Sequence, residues 1–246
     1  MKALYIAWQD PQTRQWHTVG KLSKQNDFYC FVYTQGAIAS PRFKYLGRMH
    51  DLYQRYVSQE LFPLFANRVL SRSRPEYPDY VRWLAVDPAQ QDDPMQLLAR
   101  SGGKRATDEL CVYPHPEANA NGEIELFFLS HGLRYIDQSD LQCIDRLKSG
   151  DRLSLRAEDD NEKDRFALRL ETDEPVTVGY CPRYLNRDLR RVLTDTDVYL
   201  TVERLNMDAP IQFRLLCRAV FTLPAGIDLF IENEYLPLDR VAAVAA

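Results

Sequence analysis

The sequence predicts an α+β protein of two small domains, a mixed α+β domain followed by one built mainly of strands. Three observations lead there. A chain of 246 residues is long enough for one sizeable core or two small ones, and domains of roughly 100 to 150 residues are the commonest solution. Both halves contain short apolar segments of strand length, separated by polar turn-forming clusters. Helical periodicity is confined to brief stretches between those segments.

In the first half, residues 3–8, 16–22 and 28–33 are apolar, with turn-forming clusters at 9–14 and 23–27, the pattern of an antiparallel meander. From 49 to 72, Leu52, Tyr56, Leu61, Leu64, Phe65 and Val69 recur near helical spacing, which predicts one long or two short helices broken or kinked at Pro63. A short helix is expected around 80–86. Another is announced by Asp93-Pro94, a capping residue followed by a proline suited to the first turn. Gly102-Gly103 should end it; a phosphate-cradling loop would place its glycines before a helix, not after one.

The run Val19-Gly20-Lys21-Leu22-Ser23, the segment 28–33, and Asp93-Pro94-Met95-Gln96-Leu97-Leu98-Ala99 followed by Gly102-Gly103 resemble the N-terminal subdomain of HipA-type toxin kinases over residues 1–115. In those kinases phosphoryl transfer belongs to a separate, larger core with its own lysine, aspartate and metal-binding residues. The resemblance therefore implies a scaffold or docking domain over residues 1–118, with a second domain over 119–246.

In the second half, residues 123–129 are rich in strand formers and lead into Ser130-His131-Gly132-Leu133-Arg134-Tyr135. A short helical stretch over 141–147 closes at Ser149-Gly150, and 152–156 alternate as a half-buried strand does. A polar, turn-forming run over 157–164 follows, and strand pattern resumes at 166–170 and 176–181. Pro182 opens an amphipathic helix with Leu185, Leu189, Val192 and Leu193 on one side and Arg183, Arg187, Arg190 and Arg191 on the other. Strands are expected at 198–202, 212–222 and 226–236, and the small apolar tail 241–246 should fray or join a neighbouring surface.

Gly132-Leu133-Arg134-Tyr135, Gly150-Asp151-Arg152-Leu153, Asp160-Asn161, Asp164 with Ala167, and Val178-Gly179-Tyr180-Cys181-Pro182-Arg183 follow the order and spacing of HIRAN domains over about residues 124–223. That resemblance implies a small OB-like or SH3-like β-barrel with short helices, which in an animal fork-remodelling translocase grips the 3′-hydroxyl end of single-stranded DNA. It implies a site made of Arg134, Tyr135, Asn161, Lys163, Asp164 and Tyr180, with Arg183 and Arg187 carrying the strand away from it. Two positions depart from the family: Phe166 stands where many members have a polar residue, commonly Asn, and Lys163 where an aromatic residue or histidine is frequent.

The chemistry of those residue types suits such a ligand. A terminal hydroxyl is a hydrogen-bond donor that an internal phosphodiester lacks, so a fixed carboxylate such as Asp164 can select an end. Tyr135 and Tyr180 offer aromatic faces, worth about 1–3 kcal/mol for each base that stacks, while Arg134 and Lys163 can meet phosphates. Structural roles for the same residues stand beside these: Asp164 ordering its turn, the two tyrosines as core residues, 158–164 as a solvated acidic loop, and the basic helix face as a merely solvated one.

Composition narrows the remaining classes. Net charge is −4, and residues 125–246 hold 16 Lys and Arg against 22 Asp and Glu, which opposes a long electrostatic track and favours a short local contact. The five cysteines and four histidines show no metal-ligand spacing, and the acidic run lacks the glycine and final glutamate of an EF-hand, so neither cofactor nor metal is expected. No apolar run approaches bilayer length and no signal-peptide pattern opens the chain, which leads to the expectation of a cytoplasmic protein with no membrane partner. A non-enzymatic protein that binds single-stranded nucleic-acid ends follows. A protein-interaction adaptor in a stress or phage-defence assembly is the alternative. A metal-dependent nuclease built on the acidic loop is the third possibility, but its acids lie in a turn and not across strands.

Overall fold

The computed structural model describes residues 3–105, 107–223 and 228–239. Contacts divide the chain into two units: Met1–Tyr77 with Val86–His115 and Phe230–Ala246, and Pro78–Ala85 with Pro116–Leu229.

The first unit is built on a five-stranded antiparallel sheet of β1 (Ala3–Gln9), β2 (Trp16–Gln25), β3 (Phe28–Tyr33), β4 (Tyr56–Ser58) and β5 (Leu110–Pro114), in the order β4-β3-β2-β1-β5. The meander is present, its second turn made by Asn26-Asp27 with Asn26 in the left-handed region that asparagine tolerates. The apolar spacing over 49–72 yields only α1 (Pro63–Ala66), preceded by the short edge strand β4. The reason is local. The buried Tyr33 hydroxyl accepts the Leu46 N–H at 2.6 Å and donates to the Met49 carbonyl at 2.7 Å, so this backbone is tied to the sheet and not to a helical ladder. Leu52, Tyr56, Leu61, Leu64 and Val69 still pack on the core, but as residues of loops and short elements.

Two further helices, α2 (Tyr77–Trp83) and α3 (Pro94–Ser101), lie close to the expected positions. Asp93 caps α3 by accepting the Met95 N–H at 2.9 Å, and Gly102 ends it at φ +73° with its N–H on the Leu98 carbonyl at 3.0 Å. The glycine pair is thus a helix terminator. The strand expected at 226–236 is not formed by the described residues 228–236. They include a 3-10 turn (Asn233–Tyr235), and beyond it Leu238 donates to the Tyr33 carbonyl at 2.9 Å, joining the first unit. The tail 241–246 lies outside the described residues.

The second unit takes in α2 from Pro78 onward and holds β6 (Glu123–Leu129), α4 (Gln138–Ile144), β7 (Arg152–Ala157), β8 (Leu168–Glu171), β9 (Thr177–Tyr180), α5 (Arg183–Val192), β10 (Tyr199–Leu205) and β11 (Leu215–Thr222). Its six strands form one antiparallel sheet in the order β6-β11-β10-β7-β8-β9. Beyond the end of β6 the chain meets β9: His131 and Tyr180 exchange both backbone hydrogen bonds at 2.9 Å, and Ser130 Oγ donates to the Val178 carbonyl at 2.7 Å. The sheet is therefore curled until its two edges touch. Gly179 permits that approach. Its φ is +107°, and a Cβ there would stand 2.0 Å from Ser130 Oγ and 2.7 Å from the His131 oxygen.

Candidate nucleic-acid interface

Where the two edges meet, four pieces of chain converge: the loop after β6, the β7–β8 turn, the end of β9 and the start of α5. The turn over 158–167 is ordered by its own side chains. Asn161 Oδ1 accepts the backbone N–H groups of Lys163 and Asp164, each at 3.0 Å, and its amide donates to Glu158. Asp164 Oδ1 accepts the Phe166 N–H at 3.0 Å, and its Oδ2 accepts from Asn186 Nδ2 at 2.8 Å, with Arg183 Nε 3.8 Å away. The carboxylate is held at defined positions and remains 17% exposed.

Glu158 joins this turn to β8 and β9. Its Oε1 accepts from Arg169 at 3.2 Å and from the Tyr180 hydroxyl at 3.4 Å. Burial first, and then the Glu158 charge, push the Tyr180 hydroxyl above its ordinary range. The Tyr180 ring packs against Gly132, where a Cβ would lie 3.2 Å from Cδ2.

In the loop after β6, a 3-10 turn (Leu133–Tyr135) buries Leu133 and leaves Arg134 and Tyr135 outside. Tyr135 is 79% exposed, a large aromatic surface in water, and Lys163 Nζ sits 5.5 Å from its ring centroid. Across the turn, α5 contributes Arg183, which donates to the Lys163 carbonyl at 2.9 Å, and Arg187, whose guanidinium carbon is 5.5 Å from the Phe166 ring centroid. Arg165 lies over the same ring at 4.6 Å.

Residues 124–221 match the family model of the HIRAN domain. This segment is a HIRAN domain. The family is one of nucleic-acid-binding domains. Among solved structures, a protein from Lactobacillus plantarum is 21% identical, over 40% of this chain and 98% of that one, at a TM-score of 0.32. The HIRAN domain of human HLTF is 16% identical, over 42% of this chain and 81% of that one, at 0.33. No curated protein matches the chain. Nothing in these comparisons supports the likeness of residues 1–115 to HipA-type kinases, since the family match begins only at residue 124.

Within the HIRAN domain, Asn161, Lys163, Asp164, Tyr135, Tyr180 and Arg183 form one connected constellation, and Arg187 borders it through Phe166. Arg134 stands exposed beside Tyr135. The uniformly basic outer face expected for α5 is not what forms. Arg190 turns inward, donating to the carbonyls of Phe166 at 3.0 Å and Ala167 at 2.7 Å and pairing with Asp159 at 2.5 Å. Arg191 is engaged by Asp188 at 3.4 Å and by the Asp228 carbonyl at 3.2 Å. Helical periodicity placed these arginines on one side, but it carries no information about which neighbouring carbonyls need donors.

Glu158 and Asn186 are the residues that sequence reasoning missed. Glu158 belongs to a run of acids with no local mark, and Asn186 falls among helix residues whose partner is 22 positions away. Three of the run's acids are taken up by local contacts: Glu158 by Arg169, Tyr180 and Asn161, Asp159 by Arg190, and Asp164 by Phe166 and Asn186. Among the described residues, no three His, Cys, Asp or Glu side chains converge as metal ligands, and no helix is long and apolar enough to cross a membrane.

Proposed function

We propose that the HIRAN domain of this chain binds the 3′ end of single-stranded nucleic acid, most simply DNA, and that it acts by binding without chemistry of its own. The observation that carries this reading is Asp164. It is a carboxylate fixed on both oxygens, still partly open, and set next to a cation and an exposed aromatic ring. A carboxylate has about four lone-pair sites, so the two donors that hold it leave room for a terminal hydroxyl. Tyr135 would stack on a terminal base, and Arg134, Lys163 and Arg187 would meet the last phosphates.

The acidic balance of the second half accords with a contact of only a few nucleotides, because few phosphates are neutralised. Fluorescence anisotropy at low and physiological salt would test the reading with three labelled strands: one with a free 3′-hydroxyl, one with a 3′-phosphate, and a circle without ends. The expected result is preference for the free hydroxyl, lost in Asp164→Ala. Equal binding to all three, or none, would overturn it in favour of a protein-docking role.

A further inference from the structure

Asn186 lies one turn into α5, only 2% exposed, and its Nδ2 donates to Asp164 Oδ2 at 2.8 Å. Its Oδ1 is closed off from solvent and has no hydrogen-bond partner. An amide oxygen buried in that way carries the full cost of lost hydration. Turning the amide over would set that oxygen against a carboxylate oxygen, which is worse, so Asp164 dictates the orientation. Asparagine is also a weaker helix former than leucine, which would fill such a core position without an orphaned oxygen.

One hydrogen bond, to Asp164, is therefore what this buried amide provides. A neutral donor orients a carboxylate without neutralising it, whereas a lysine or arginine in its place would do both. Asn186 and Arg183 are three residues apart on α5, so Asp164 rests on the first turn of the helix, where the helix dipole favours negative charge.

We infer that Asn186 is a positioning residue that sets the hydroxyl preference of the end-binding site. By holding Oδ2 of Asp164, it aims the carboxylate's remaining lone pairs at a donor. The inference rests on the end-binding reading above, and its test separates the two.

The test compares the full chain's affinity for a single strand ending in a 3′-hydroxyl with that for the same strand ending in 3′-deoxyribose, a neutral end lacking only the donor. In the unaltered protein the hydroxyl strand should bind about tenfold more tightly, the worth of one hydrogen bond to a charged group. Asn186→Leu should fold with a thermal midpoint near that of the parent, yet lose most of this ratio.

Asn186→Asp would replace the amide donor by a second carboxylate facing Asp164. The hydroxyl preference of this variant should be lost, as in Asn186→Leu.

An unaltered protein that binds both strands equally would sink the end-binding reading, and this inference with it. A preference retained undiminished in folded Asn186→Leu would overturn the inference alone. So would failure of Asn186→Leu to fold, which would make Asn186 a residue of the fold and not of the site.

Discussion

His131 and Tyr180 exchange both of their backbone hydrogen bonds, at 2.9 Å each, where the two edges of a six-stranded sheet meet. The same contact brings the loop bearing Arg134 and Tyr135 beside the strand bearing Tyr180, so closing the sheet and assembling the site are one event.

Gly179→Ala should therefore damage both. The added methyl meets Ser130 Oγ and the His131 oxygen, in a backbone region that L-residues avoid. Overpacking and the left-handed strain together should cost about 2–4 kcal/mol, read as a lower urea midpoint. Ser130→Ala should cost only about 1 kcal/mol, the value of one hydrogen bond.

Tyr135→Ala separates binding from folding. Because the ring is mostly in water, thermal stability should change by no more than about 0.5 kcal/mol. Loss of a stacked base should weaken single-strand affinity by about 1–3 kcal/mol, roughly 5- to 150-fold. Anisotropy titration beside a thermal melt measures both, and an unchanged affinity would remove Tyr135 from the interface.

Arg187 and Arg190, three residues apart on α5, should behave oppositely. Arg190→Ala removes donors from two carbonyls and an ion-pair partner from Asp159, and should destabilise by about 1.5–3 kcal/mol. Arg187→Ala should act on binding. It should reduce the slope of log affinity against log salt by about 0.7 if the side chain meets one phosphate of a single strand.

Acid should weaken the first unit through His17, whose pKa is lowered mainly by burial. A folded value below the unfolded one, near 6.5, means that the unfolded chain takes up the proton first. This contribution is present above about pH 6.5 and is lost as pH falls through the folded value. His17→Gln should flatten the fall in thermal midpoint between pH 7.5 and 5. An identical slope in the variant would assign that fall to other groups.

Where local chemistry decides an element, the sequence by itself determined the outcome. The Asp93-Pro94 cap and Gly102 bound α3, turn residues separate β1, β2 and β3, and Pro182 precedes α5. The resemblance to HIRAN domains singled out Gly132, Asn161, Asp164 and Tyr180, and the turn over 158–167 that carries two of them is organised by hydrogen bonds between residues two or three apart. Only the tertiary structure decided the rest. The backbone at Leu46 and Met49 was claimed by the hydroxyl of Tyr33, 230–239 joined the first unit, Arg190 turned inward to bare carbonyls, and Asn186 found Asp164. In each case a buried polar group is satisfied by a partner distant along the chain. Periodicity reports which face of an element is apolar, and it cannot report which distant donor or acceptor that face will meet.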